Sequence, residues 1–213
     1  MTNQIKMETK NLKSSIDEII KLAFERVQYA YDNNKEVEPT KNSEHKTRLV
    51  FPSYSNNKTR KSEQELRFCF VEAFNEYVVK EKLPLYYSVE TPTRDKYSGF
   101  AEGDPNHDPD GRSGEFDLII FELEEGEMKR RCLIEFKANN ADQKSHDKDF
   151  CKLNNENECK KKDVLLRYFI ELIDGCNNRT IDSLKNKTTK KNDTHFVCYS
   201  LSKKTDISSK INQ

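Results

Sequence analysis

Asp117, Glu135 and Lys137 are charged residues set inside apolar runs. FDLIIF (116–121) and CLIEF (132–136) flank a charged turn, EEGE (124–127), and read as the two strands of a β-hairpin, about 115–122 and 131–137. If pairing is symmetric about Gly126, Asp117 faces Glu135, with Cβ atoms roughly 4.5–5.5 Å apart. Lys137 shares their face, because side chains on a strand repeat every two residues. Two carboxylates about 5 Å apart repel by roughly 3 kcal/mol at an effective dielectric near 20. A favourable cross-strand pair returns only about 0.2–1 kcal/mol. The pair therefore requires a divalent cation or a shared proton. Mg²⁺ is commonly held by one or two carboxylates, waters and substrate phosphates. A nearby ammonium can orient or deprotonate a water, or stabilise charge on a pentacovalent phosphorus. Asp, Glu and Lys on one face are competent for phosphodiester hydrolysis.

Several elements must position this set. Residues 14–34 carry Ile16, Ile19, Ile20, Ala23, Val27 and Ala30 at helical spacing. A polar linker with Pro39 follows over 35–48, then a short apolar patch, LVFPSYS (49–55). A second helix opens at Ser62, whose spacing to Glu65 is that of a capping box, and stops before Pro84. YYSVE (86–90) reads as a strand and 93–113 as a polar loop. Beyond the hairpin, 163–175 reads as a helix ending at Gly175, 181–186 as a helical turn, and HFVCYSL (195–201) as a last strand. The expected fold is α/β, a small mixed sheet with helices on both faces. That packing makes the strands continuously apolar rather than alternating.

The pattern D117…E135-F136-K137, set in helix, three strands, helix, strand, resembles the PD-(D/E)XK or restriction-endonuclease-like nuclease superfamily. The resemblance spans residues 62–201 and implies an αβββαβ core. It leaves residues 1–48 as an N-terminal helical arm and linker and 49–213 as the nuclease-like domain. It implies Mg²⁺ or Mn²⁺ on Asp117 and Glu135, and a catalytic role for Lys137. Many members add a glutamate from the first core helix. Glu63 fits, since it heads the stripe Leu66, Phe70, Ala73 and Tyr77, whereas Glu65 is taken by the cap. Phe116 stands where many members carry proline. The stretches SEQE (62–65) and YYSVETPT (86–93) also look like an uncharacterised bacterial protein family. The implied activity is endonuclease-like hydrolysis of DNA, in restriction or defence. The alternative is a catalytically silent module that kept the fold and the acidic pocket. A third reading is an interaction protein that forms a homodimer through the 14–34 helix.

Composition bounds these readings. The 213 residues are 34% hydrophobic and 35% charged, enough for one modest core. The charges balance at 37 each, but residues 101–143 hold 12 acidic against 5 basic and 144–213 hold 15 basic against 10 acidic. An acidic centre beside a basic flank suits a cation site next to a phosphate-contacting rim, or is ordinary surface variation. The start lacks an apolar signal region, no run approaches a membrane span, and the six cysteines form no C-x-x-C pair. A cytoplasmic protein with free thiols is expected, with Cys69, Cys132 and Cys198 as small buried hydrophobes. Asp104, Asn106, Asp108 and Glu115 fall at calcium-loop positions, but Pro109 stands where that loop needs glycine, so a plain acidic loop is expected. His107, His146 and His195 share no zinc spacing with the cysteines. The basic runs at 159–163 and 185–193 are a phosphate track or a solvated face. Tyr86, Tyr87 and Tyr97 are core residues or base-stacking platforms.

Overall fold

The computed structural model describes residues 7–33, 46–56, 58–99, 106–139, 141–159 and 163–212. Most of the expected linker, Asp104 of the acidic loop and residues 160–162 of the first basic run lie outside them. The elements run α1 (Thr9–Asp32), α2 (Glu63–Glu81), β1 (Leu85–Ser98), β2 (Asn106–His107), β3 (Arg112–Glu124), β4 (Glu127–Ala138), α3 (Gln143–Asn154) and α4 (Glu156–Cys159). They continue with β5 (Leu166–Ile173), α5 (Asn178–Lys187), β6 (His195–Ser200), β7 (Thr205–Asp206) and α6 (Ser208–Ile211). The strands form one mixed sheet of seven in the order β2-β1-β3-β4-β5-β6-β7. β1, β3 and β4 are an antiparallel meander, and β5 and β6 then add in parallel.

Both faces of the sheet are covered. Leu118, Ile120, Cys132, Ile134, Phe136, Tyr168 and Ile170 point to α1 and α2. Ile119, Leu133, Phe169, Phe196 and Cys198 point to α3, α5 and α6, where they meet Phe150, Leu153, Leu184 and Ile211. Helix α1, the main part of the expected arm, packs its apolar stripe from Leu12 to Ala30 into the first cluster and lies along α2. Each fully buried Ile contributes about 1.5–3 kcal/mol relative to exposure. An isolated helix of this kind is marginal, so this contact is what holds it. Among the described residues no helix is long and apolar enough to cross a membrane.

Three expectations are corrected. The helix expected over 163–175 is strand β5, LRYFIELI, buried almost throughout. A central parallel strand buries both faces and so is apolar at every position, which periodicity cannot separate from a buried helix. The helix that follows the hairpin is instead α3, in the stretch the sequence leaves polar. Its N-cap Asp142 accepts from the Ser145 N–H at 2.7 Å, and it buries His146, Asp149, Phe150, Lys152 and Leu153. The loop expected over 93–113 is also shorter. β1 runs on to Ser98, and β3 begins at Arg112.

The hairpin has the expected register for an unexpected reason. Its turn is the pair Glu125 and Gly126, both at positive φ (51° and 83°), which suits the twist of a two-residue hairpin. Near the turn Glu124 pairs with Glu127 and Phe121 with Arg130. Arg131 is then an extra residue, and beyond it Ile120 pairs with Cys132 and Leu118 with Ile134. One step further sets Asp117 beside Glu135. Consistently, Asp117 Oδ2 accepts the backbone N–H of Phe136 at 2.7 Å.

Candidate active site

Asp117, Glu135, Lys137 and Glu63 line one cleft of about 700 Å³. The first three come from the β3–β4 face that packs on α3, and Glu63 from the first turn of α2. Ser62 and Glu65 explain why Glu63 is available. Glu65 Oε2 accepts the Ser62 N–H at 2.8 Å and its other oxygen meets Arg60 at 2.9 Å, so Glu65 is committed to the helix cap. Glu63 Oε2 lies 3.6 Å from Lys137 Nζ.

Helix α3 supplies two further residues that sequence reasoning missed, Asp149 and Lys152. They stand one helical turn apart, so both reach the same strand face. Lys137 Nζ lies 2.7 Å from Asp149 Oδ2. Lys152 Nζ lies 2.5 Å from Glu135 Oε1 and 3.1 Å from Asp149 Oδ1. The result is an alternating chain of charge, Glu135, Lys152, Asp149, Lys137, Glu63. A signal for it existed: His146, Asp149, Phe150 and Leu153 are spaced as one buried helical face. Two of those four residues are polar, which kept the stretch from reading as amphipathic.

Burial sets the electrostatics. Glu135 is 1% exposed, and desolvation pushes its carboxyl well above the usual carboxylate range, against the pull of Lys152. Asp149 is equally buried, but Lys152 and Lys137 outweigh desolvation and hold it below the usual range. Burial alone would lower Lys137, yet Asp149, Glu135 and Glu63 together raise it, which favours its charged form. Arg67, Arg112 and Lys148 also line the cleft, as do Glu90 and Glu115, so its lining carries charges of both signs.

Behind the cleft, Glu171 is the β5 register partner of Lys137 and meets His146 Nε2 at 2.9 Å, both side chains fully buried. His146 Nδ1 is 3.0 Å from the Asp142 carbonyl, which can only accept, so Nδ1 carries a proton. The pair pins α3 to β5, and His146 is a structural residue.

Of the other sequence candidates, Glu115 on β3 also lines the cleft, while Asn106 and Asp108 belong to β2 and its following turn. Tyr97 is 2% exposed and its hydroxyl bonds Glu158 at 2.7 Å, while Tyr86 and Tyr87 are exposed on β1. Cys69, Cys132 and Cys198 are buried and free. Among the described residues no three His, Cys, Asp or Glu side chains gather closely enough to hold a metal unaided. No protein-family model, curated protein or solved structure matches the chain.

Proposed function

We propose that this protein is a nuclease of the restriction-endonuclease-like type, hydrolysing phosphodiester bonds in DNA with Mg²⁺ or Mn²⁺. One observation carries the reading: two acids and a lysine from adjacent antiparallel strands open, with a helical glutamate, into a single cleft that Arg67, Arg112 and Lys148 also line. The order α2, β1, β3, β4, α3, β5 supports the same αβββαβ core, with β5 in place of the later strand expected from the sequence.

The donor set suits a hard divalent cation. Asp117 and Glu135 offer carboxylate oxygens, and buried Glu135 Oε1 faces the Lys152 ammonium at 2.5 Å. Asp117 and Glu135 would hold the ion, which would polarise the phosphate and lower the pKa of a bound water. The protein's own groups do the rest. Phe136 N–H fixes the Asp117 carboxylate. Lys137, kept charged by Asp149, faces the developing negative charge. Arg67 and Arg112 align the substrate backbone. The test is incubation of the purified chain with supercoiled plasmid and Mg²⁺ or Mn²⁺, beside Lys137→Ala. Cleavage by wild type alone supports the reading, and no cleavage by either under both metals overturns it.

A second reading, a catalytically silent binding module, is favoured by one contact. Lys152 Nζ already lies 2.5 Å from Glu135 Oε1, in the place a metal would take. Under that reading the chain binds DNA without cutting it, and neither metal shifts its melting.

A further inference from the structure

Lys152 is surrounded by oxygen. Its Nζ lies 2.5 Å from Glu135 Oε1 and 3.1 Å from Asp149 Oδ1, and it donates to the Glu115 carbonyl at 2.8 Å. The Phe116 ring closes a further side at 5.7 Å. The residue is 6% exposed. Lysines are almost never buried to this degree unless paired. Here the partners are oxygens of the kind a hard metal ion takes.

Lysine ammonium groups supply the positive charge for both acids. Buried Glu135 Oε1 meets Lys152 Nζ at 2.5 Å and Asp149 Oδ2 meets Lys137 Nζ at 2.7 Å, with no other donor on either oxygen among the described residues. The three protons of the Lys152 ammonium are divided among Glu135, Asp149 and the Glu115 carbonyl.

We propose that Lys152 is a displaceable internal cation, its ammonium holding the place beside Glu135 until a divalent ion on Glu135 and Asp117 replaces it. The inference rests on the metal-dependent reading above. Lys152 is suited to the part, since its charge rides on a flexible four-carbon stem and can swing without moving α3. Once released it adds a positive charge to the cleft, where a substrate phosphate would meet it. Lys152 thus keeps the metal-free protein folded and couples metal entry to the appearance of a phosphate-binding cation.

The experiment titrates Mn²⁺ into the full chain, following free ion by electron paramagnetic resonance, and measures melting in EDTA and in Mg²⁺. Wild type is compared with Lys152→Met, Lys152→Arg and Glu135→Gln. Lys152→Met is expected to bind Mn²⁺ about tenfold more tightly than wild type, a difference of about 1.4 kcal/mol. It also melts lower in EDTA and gains more from Mg²⁺. Lys152→Arg keeps the charge in a forked head that grips carboxylates more firmly, and is expected to bind Mn²⁺ more weakly than wild type. That comparison decides the matter if Lys152→Met does not fold. Glu135→Gln loses most Mn²⁺ binding. Equal Mn²⁺ affinity in wild type and the Lys152 variants overturns the displacement and leaves the metal site standing. Absence of Mn²⁺ binding in every variant overturns both.

Discussion

Lys137 of β4 and Asp149 of α3 form an ion pair at 2.7 Å across the floor of the cleft. Asp149 is buried and Lys137 half-buried, and each favours the charged form of the other: Lys137 helps hold Asp149 below the usual range, and Asp149 raises Lys137. Under the proposed hydrolysis, this pairing favours electrostatic stabilisation by Lys137 over proton abstraction.

The first consequence is kinetic. Lys137→Met should lower plasmid cleavage by about 10²–10³-fold, the usual effect of removing one charge-stabilising donor. Lys137→Arg should retain measurable cleavage. The pH–rate profile of the wild type should show no limb from Lys137 below about pH 10, because its partners raise it above the usual lysine range. A limb near pH 8 that disappears in Lys137→Arg would contradict the pairing.

Asp149→Asn should destabilise the fold by about 3 kcal/mol at pH 7, since it takes a charge partner from buried Lys152 and half-buried Lys137. The carboxyl of Asp149 is held below its unfolded value. Its contribution is therefore present above about pH 4 and lost as pH falls through the lower folded value. Urea unfolding of wild type and Asp149→Asn at pH 7 and pH 3 should show the gap between them narrowing in acid. A constant gap would mean Asp149 does not carry the linkage.

Arg131, the extra residue of the β4 bulge, is tied down at every nitrogen. It reaches Glu122 at 2.7 Å, Glu124 at 2.6 Å and the Asp163 carbonyl at 3.3 Å. Arg131→Met should cost about 3–5 kcal/mol by leaving Glu122 buried and unpaired. Deleting Arg131 should do more, because a one-residue slip turns Glu135 to the opposite face of the sheet. Denaturation midpoints for the substitution, and loss of Mn²⁺ binding in any soluble deletion protein, would show it.

The thiols give a check on the fold itself. Cys69, Cys132 and Cys198 are buried, and desolvation raises each, Cys69 to about 12. A thiol reagent at pH 8 should label no more than Cys151, Cys159 and Cys176 in the native chain, and all six after denaturation. Rapid labelling of Cys132 would mean the β4 core is open.

By itself the sequence determined the hairpin, both of its acids and its lysine, because charges embedded in apolar runs stand out against the pattern around them. It also determined the capping box at Ser62 and Glu65, and with it the freedom of Glu63. It did not separate β5 from a helix, since a strand covered on both faces carries no period. Nor did it reveal α3, whose buried face is half ionic: Asp149 and Lys152 are core residues only because Glu135 and Lys137 stand opposite them. Those partners lie 12 to 17 residues away in sequence, beyond the reach of any local pattern. Charge can be read along a chain, but its neutralisation is decided across space, and only the tertiary structure brings the two lysines and the acids into one cleft.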